Sequence, residues 1–134
     1  MPLPELPTLF LDRSVGRIQL PALLRAAGIE LVTLAEHYGM PDDEKVEDTT
    51  WLRDTAALGW ACVMKDEKIR RRPAEKLAVR GNGARVFYFT RGDLTAQQMA
   101  ERIMANIEDI AEACLEEGPF AYVLHPRRIE RMSL

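Results

Sequence analysis

The sequence predicts an α/β fold, a three-layer sandwich whose mainly parallel five-stranded sheet carries helices on both faces. Two observations lead there. Five short runs, "TLFL" (8–11), "ELVTL" (30–34), "WACVM" (60–64), "RVFYF" (85–89) and "FAYVL" (120–124), are apolar without alternation. Such continuity, rich in Val, Phe and Tyr, suits parallel strands covered on both sides rather than strands with one wet face. Helical patterns lie between the runs, and strand–helix alternation implies parallel pairing through right-handed crossovers. At 134 residues the chain suits one domain, 1–134, with a core over about 8–124 and a basic tail at 125–134.

The helices are read from their ends. "LPALLRAAG" has Pro21 in its first turn and stops at Gly28. "DTTWLRDTAALG" starts at Asp48 or Thr49 and closes at Gly59, and "PAEKLAVRG" repeats the proline start and glycine stop between Pro73 and Gly81. "TAQQMAERIMANIEDIAEACL" opens with Thr95 and Gln98 at capping-box spacing. Met99, Ile103, Ile107, Ile110 and Cys114 then draw one apolar stripe, which is core packing. The tail "HPRRIERMSL" reads as loosely held.

Hydrophobic residues are 47% and charged residues 29%, a globular mix that argues against disorder. No apolar run approaches a membrane span, and "MPLPELP" lacks the basic start of a signal peptide. Cys62 and Cys114 sit among apolar residues and read as reduced packing residues, which suits the cytoplasm. The net charge of −3 hides an asymmetry. Residues 65–91 hold nine Lys and Arg against three acids, whereas 42–48, "DDEKVED", hold five acids against Lys45. A polyanion bound beside a metal-binding pocket fits that pairing, although each run alone also reads as a solvated face.

Ligands of open parallel sheets gather at the carboxyl ends of strands, where strand order reverses. Asp12 follows the first strand, Glu36 the second, Lys65 and Asp66 the third, and Thr90 and Asp93 the fourth, while Asp48 opens a helix. In the order 2-1-3-4-5, Asp12 and Asp66 flank the reversal. Clustered carboxylates raise one another's pKa unless a cation neutralises them, and oxygen-only ligands suit Mg²⁺ or Mn²⁺. Each acid has a plainer reading too. Asp48 serves as an N-cap, Asp66 caps the turn "EKIR", Glu36 faces solvent, and Asp93 makes an Asx-turn. Asp12 suits such a role least, because it closes a buried strand. His37 and His125 lie far apart without spaced cysteines, so zinc is disfavoured. No P-loop or nucleophile elbow occurs, and Ser14 lacks a base.

"DTTWLRDTAALGWACVMKDEKIRR", with "FLDRSVGR" before it and "GDLTAQQM" after it, resembles PIN domains, closest to small PIN-like toxins of VapC type. The likeness spans residues 8–124. It implies a metal-dependent ribonuclease whose acids surround Mg²⁺ or Mn²⁺, with Asp12, Asp48 and Asp66 as catalytic metal ligands. The family's further acid has its best candidate in Glu36; Asp93, after the fourth strand, is a separate outlying site candidate. Met64 stands where the family's Thr-x-Asp step has its threonine. On this reading Arg13, Lys65, Lys68, Arg70, Arg71 and Arg72 bind the substrate. RNA and a cognate antitoxin are the implied partners, a homodimer is compatible with them, and no membrane is involved. Two rivals are a degenerate PIN-like binding module without catalysis and a receiver-like phosphoacceptor domain. The receiver needs an acidic pair after strand one and a lysine after strand five, where this chain has Asp12–Arg13 and Leu124–His125.

Overall fold

The structure is a computed structural model that describes residues 2–65 and 73–134. Its strands are β1 (Leu9–Leu11), β2 (Leu31–Thr33), β3 (Ala61–Lys65), β4 (Arg85–Phe89), β5 (Phe120–Leu124) and β6 (Ile129–Arg131). Its helices are α1 (Gln19–Ala26), α2 (Leu34–Tyr38), α3 (Asp48–Leu58), α4 (Pro73–Asn82), α5 (Ala96–Ala105) and α6 (Ile107–Ala113). The sheet runs β2-β1-β3-β4-β5-β6. The first five strands keep the expected order and are parallel.

Alternate residues of each inner strand enter opposite cores, which is why the strands read as unbroken apolar runs. Leu9, Leu11, Val63, Phe87 and Phe89 face α1, α5 and α6, against Leu20, Leu24 and Ile103. Phe10, Cys62, Met64, Val86 and Tyr88 face the other way, onto Trp51 and Leu52 of α3 and Val79 of α4.

Three expectations are corrected. The sheet has six strands rather than five, because residues 129–131 of the tail pair antiparallel with β5, Leu124 opposite Ile129. The tail's charge had hidden a strand that is exposed on one edge. The long helix breaks at Asn106, whose side-chain amide donates to the carbonyls of Arg102 and His125, each at 2.8 Å. The apolar stripe continues across the break, so periodicity could not reveal it. The second strand ends at Thr33, not Leu34. There the Thr33 hydroxyl accepts from Glu36 N–H at 3.1 Å while Glu36 Oε1 accepts from Thr33 N–H at 2.9 Å, a capping box that starts α2. No helix among the described residues is long and apolar enough to cross a membrane.

Candidate active site

The chain leaves β1 beside the end of β3, with Asp12 N–H donating to Val63 carbonyl at 3.1 Å. A single turn of 3₁₀ helix, Arg13–Val15, follows and brings Ser14 back over Asp12. Ser14 Oγ–H donates to Asp12 Oδ2 at 2.7 Å, and its backbone N–H reaches the same oxygen at 3.3 Å. The Ser14 oxygen also accepts from Lys65 N–H at 2.8 Å. One hydroxyl thus ties the ends of the two central strands together and sets the rotamer of the acid between them.

Asp12 is only 4% exposed. Its Oδ1 is buried and makes no hydrogen bond among the described residues. Burial raises its pKa above the ordinary carboxylate value, the nearby charge of Asp48 adds to this, and the Ser14 hydrogen bond opposes it.

Asp48 supplies the second acid. It is the first residue inside α3, while Glu47 occupies the cap position without a side-chain bond, so the N-cap reading of Asp48 is corrected. Instead Asp48 Oδ1 accepts from the indole N–H of Trp51 at 2.9 Å. Trp51 lies fully buried one turn on and acts as a rigid mount for the acid.

Asp12 and Asp48 line one cavity of about 560 Å³, together with Arg13, Ser14, Lys65 and Glu75. Glu75 stands in the first turn of α4, and Glu47 and Thr49 complete the rim beside Asp48. None of Glu47, Thr49, Glu75 or Trp51 is marked as a site residue by its sequence neighbourhood. The proline start of α4 places Glu75 near the end of β3, but nothing in the sequence aims it at Asp12.

The remaining candidates divide. Lys65 closes β3 on the cavity wall. Asp66, Lys68, Arg70, Arg71 and Arg72 lie outside the described residues. Glu36 is not on that wall: it serves the capping box and pairs with Arg25 at 2.7 Å, which holds its carboxyl below the usual range. Asp93, also absent from the wall, pairs with Arg91 at 2.9 Å, and both are exposed. Arg13 borders the cavity, yet its guanidinium donates to three carbonyls of the acidic segment, Asp43 at 2.8 Å, Glu44 at 3.1 Å and Val46 at 2.8 Å. It pins the segment that leads into Asp48.

The donor set is hard oxygen, which suits Mg²⁺ or Mn²⁺ with waters completing the shell. Asp12 Oδ1, buried and unsatisfied within the described residues, is the atom a dication would satisfy. Among those residues no three His, Cys, Asp or Glu side chains form a complete metal-holding group. The two acids therefore fit as part of a ligand set.

A parallel sheet whose order reverses at β1, with the acids after β1 and at the start of α3 lining one cavity, agrees with the PIN resemblance read from the sequence. The PIN like domain model matches residues 7–91, and the chain belongs to that family. The matched span contains Asp12, Asp48, Asp66 and Glu75, and it removes the receiver-like alternative. A protein of Mycobacterium tuberculosis (strain ATCC 25618 / H37Rv), named "Putative ribonuclease VapC45", is 43% identical over 130 residues, which cover 97% of this chain and 94% of that relative. No solved structure matches the chain.

Proposed function

We propose that this chain is a metal-dependent endoribonuclease that acts as the toxin of a toxin–antitoxin pair. The carrying observation is Asp12: a buried carboxylate with one oxygen unsatisfied among the described residues, lining one cavity with a second carboxylate, Asp48. The name of the mycobacterial relative supports RNA as the substrate. Asp12, Asp48 and Asp66 would hold Mg²⁺ or Mn²⁺, which when bound supplies Lewis acidity for phosphodiester hydrolysis. The protein's part is to keep the two described acids in place before substrate arrives. Ser14 fixes Asp12, Trp51 fixes Asp48, and Arg13 holds the segment between them. Lys65 and the run Lys68, Arg70, Arg71 and Arg72 hold the RNA backbone by charge-assisted contacts to phosphate.

A cognate antitoxin would silence the site, for which a basic side chain between the acids is the simplest means. RNA cleavage with Mn²⁺ or Mg²⁺, against EDTA and an Asp12→Asn control, tests the reading. Metal-dependent cutting that Asp12→Asn abolishes is expected. Binding without cutting in wild type would leave the degenerate, RNA-binding module instead. In cells, expression without antitoxin should arrest growth, and Asp66→Asn at equal protein level should relieve the arrest.

A further inference from the structure

A separate cavity of about 390 Å³ opens beyond the ends of β4 and β5, walled by Arg91, Gln98, Glu101, Arg102 and Arg127. Its position follows from chain direction. Arg91 follows β4, Arg127 follows β5, and α5 brings Arg102 and Gln98 back over the same edge. Because β1, β3, β4 and β5 are parallel neighbours, their carboxyl ends form one continuous edge, with Asp12 near its other end. Strands stand about 4.8 Å apart, so three steps carry the edge about 14 Å from β1 to β5. The acidic cavity opens toward α3 and α4, the arginine cleft toward α5.

The cleft carries more positive than negative charge, three arginines against Glu101 and the nearby Asp93. Arg91 has Asp93 as its partner, but no carboxylate lies within ion-pairing distance of Arg102 or Arg127 among the described residues. Arg102 Nη1 donates to Leu124 carbonyl at 3.0 Å, which fixes the guanidinium without neutralising it. Burial, and then the like charge of Arg91, hold its pKa below the ordinary arginine value. Glu101, the acid of the wall, accepts from Gln97 at 3.2 Å. Gln98 uses its carbonyl oxygen on Thr95 N–H at 2.9 Å, which leaves its amide N–H groups as donors. The guanidinium groups of Arg102 and Arg127 and the Gln98 amide, with Arg91 beside them, make a site for a phosphate, whose oxygens match the arginine fork.

We propose that this cleft binds a backbone phosphate of the same RNA strand that is cut at the acids, several nucleotides from the scissile bond. The proposal rests on the nuclease reading for the position of that bond. The enzyme then senses substrate length, because only a strand long enough to cross the edge occupies both sites.

The test is RNA binding in EDTA across a salt series, with a dinucleotide, whose one phosphate cannot serve both sites, and an oligonucleotide of about sixteen nucleotides, the upper end of single-strand site sizes. Arg127→Gln is the first variant, since Arg127 is exposed and outside the core. Arg102→Gln is the second, accepted only if its melting temperature is unchanged. For the long RNA each should weaken binding and flatten the plot of log K against log salt by about 0.7 for each phosphate that is no longer neutralised. For the short RNA, which cannot hold both sites at once, each should cost less than for the long RNA. An unchanged slope on long RNA, or equal losses on both lengths, overturns the proposal. So does a variant that binds RNA normally but loses an acidic protein partner. Since binding is read without metal, RNA that is held by the cleft yet never cut would sink the nuclease reading and leave the cleft standing.

Discussion

The acidic corner at β1 and the arginine cleft beyond β4 and β5 occupy two ends of one sheet edge, and they are built in opposite ways. Asp12 is buried, bonded through Ser14 to the neighbouring strand, and held at a raised pKa by burial and Asp48. Arg91, Asp93 and Arg127 are exposed and borne on loops. The difference follows from what each must do. Groups that stabilise developing charge work by being fixed and desolvated beforehand. Groups that attract a polyanion need only present charge, and salt screens them accordingly. Residues of the corner should therefore change turnover and metal affinity, whereas residues of the cleft should change salt-dependent RNA affinity.

The largest effect should come from Asp12→Asn. Loss of several kcal/mol of charge stabilisation corresponds to a fall in turnover on the order of 10³-fold. RNA affinity in EDTA should stay near wild type, and thermal stabilisation by Mn²⁺ should disappear. Parallel loss of metal-free RNA affinity would erase the proposed division between corner and cleft.

Ser14→Ala should come next. It removes the donor to Asp12 and the acceptor for Lys65 N–H in one step. Loss of an outer partner of a metal ligand typically costs 10- to 100-fold in metal affinity, and a part-buried amide left unpaired costs about 1–3 kcal/mol of stability. Mn²⁺ titration and denaturant melts measure the two separately. Ser14→Thr should restore much of both, since it keeps the hydroxyl.

Arg13→Gln sharpens the comparison, because Arg13 lies at the corner but carries the charge expected of a substrate contact. With its guanidinium committed to three carbonyls, its loss should loosen Asp48 and lower Mn²⁺ affinity by about tenfold. The salt slope of RNA binding should not move. A slope flattened by about 0.7 would return Arg13 to phosphate binding.

The smallest effect concerns Glu36, away from both regions. Its carboxyl is held low, first by the Arg25 hydrogen bond and then by Thr33 N–H. The stabilisation is therefore present above the ordinary value of 4.5 and lost as pH falls through the lowered folded value. Glu36→Gln keeps an acceptor for the capping box but not the charge. The pair is half exposed, so about 0.5 kcal/mol should be lost at neutral pH and progressively less as pH falls through the lowered folded value. A loss of Mn²⁺ affinity in this variant would instead place Glu36 among the metal ligands.

Much of this could be read along the chain because it depends on neighbours in sequence. Unbroken apolar runs require cover on both faces, so Phe10 with its neighbours, or Val63 with its neighbours, already imply a two-sided parallel sheet. Pro21, Gly28, Gly59 and Pro73 mark helix ends through backbone restriction alone. Asp12 is conspicuous because a carboxylate closing a buried strand must be compensated. Long-range contacts leave no such trace. Whether Arg13 meets a phosphate or the carbonyls of residues 43, 44 and 46 depends on a segment some thirty positions away. Trp51 is fully buried, yet its one polar atom orients Asp48. Glu75 joins the cavity only because α4 packs beside α3 across one face of the sheet. Local patterning thus determined the class of fold and the end of the sheet where a site belongs. Tertiary packing decided which side chains share that site, since hydrogen-bond partners distant in sequence are chosen by proximity in space.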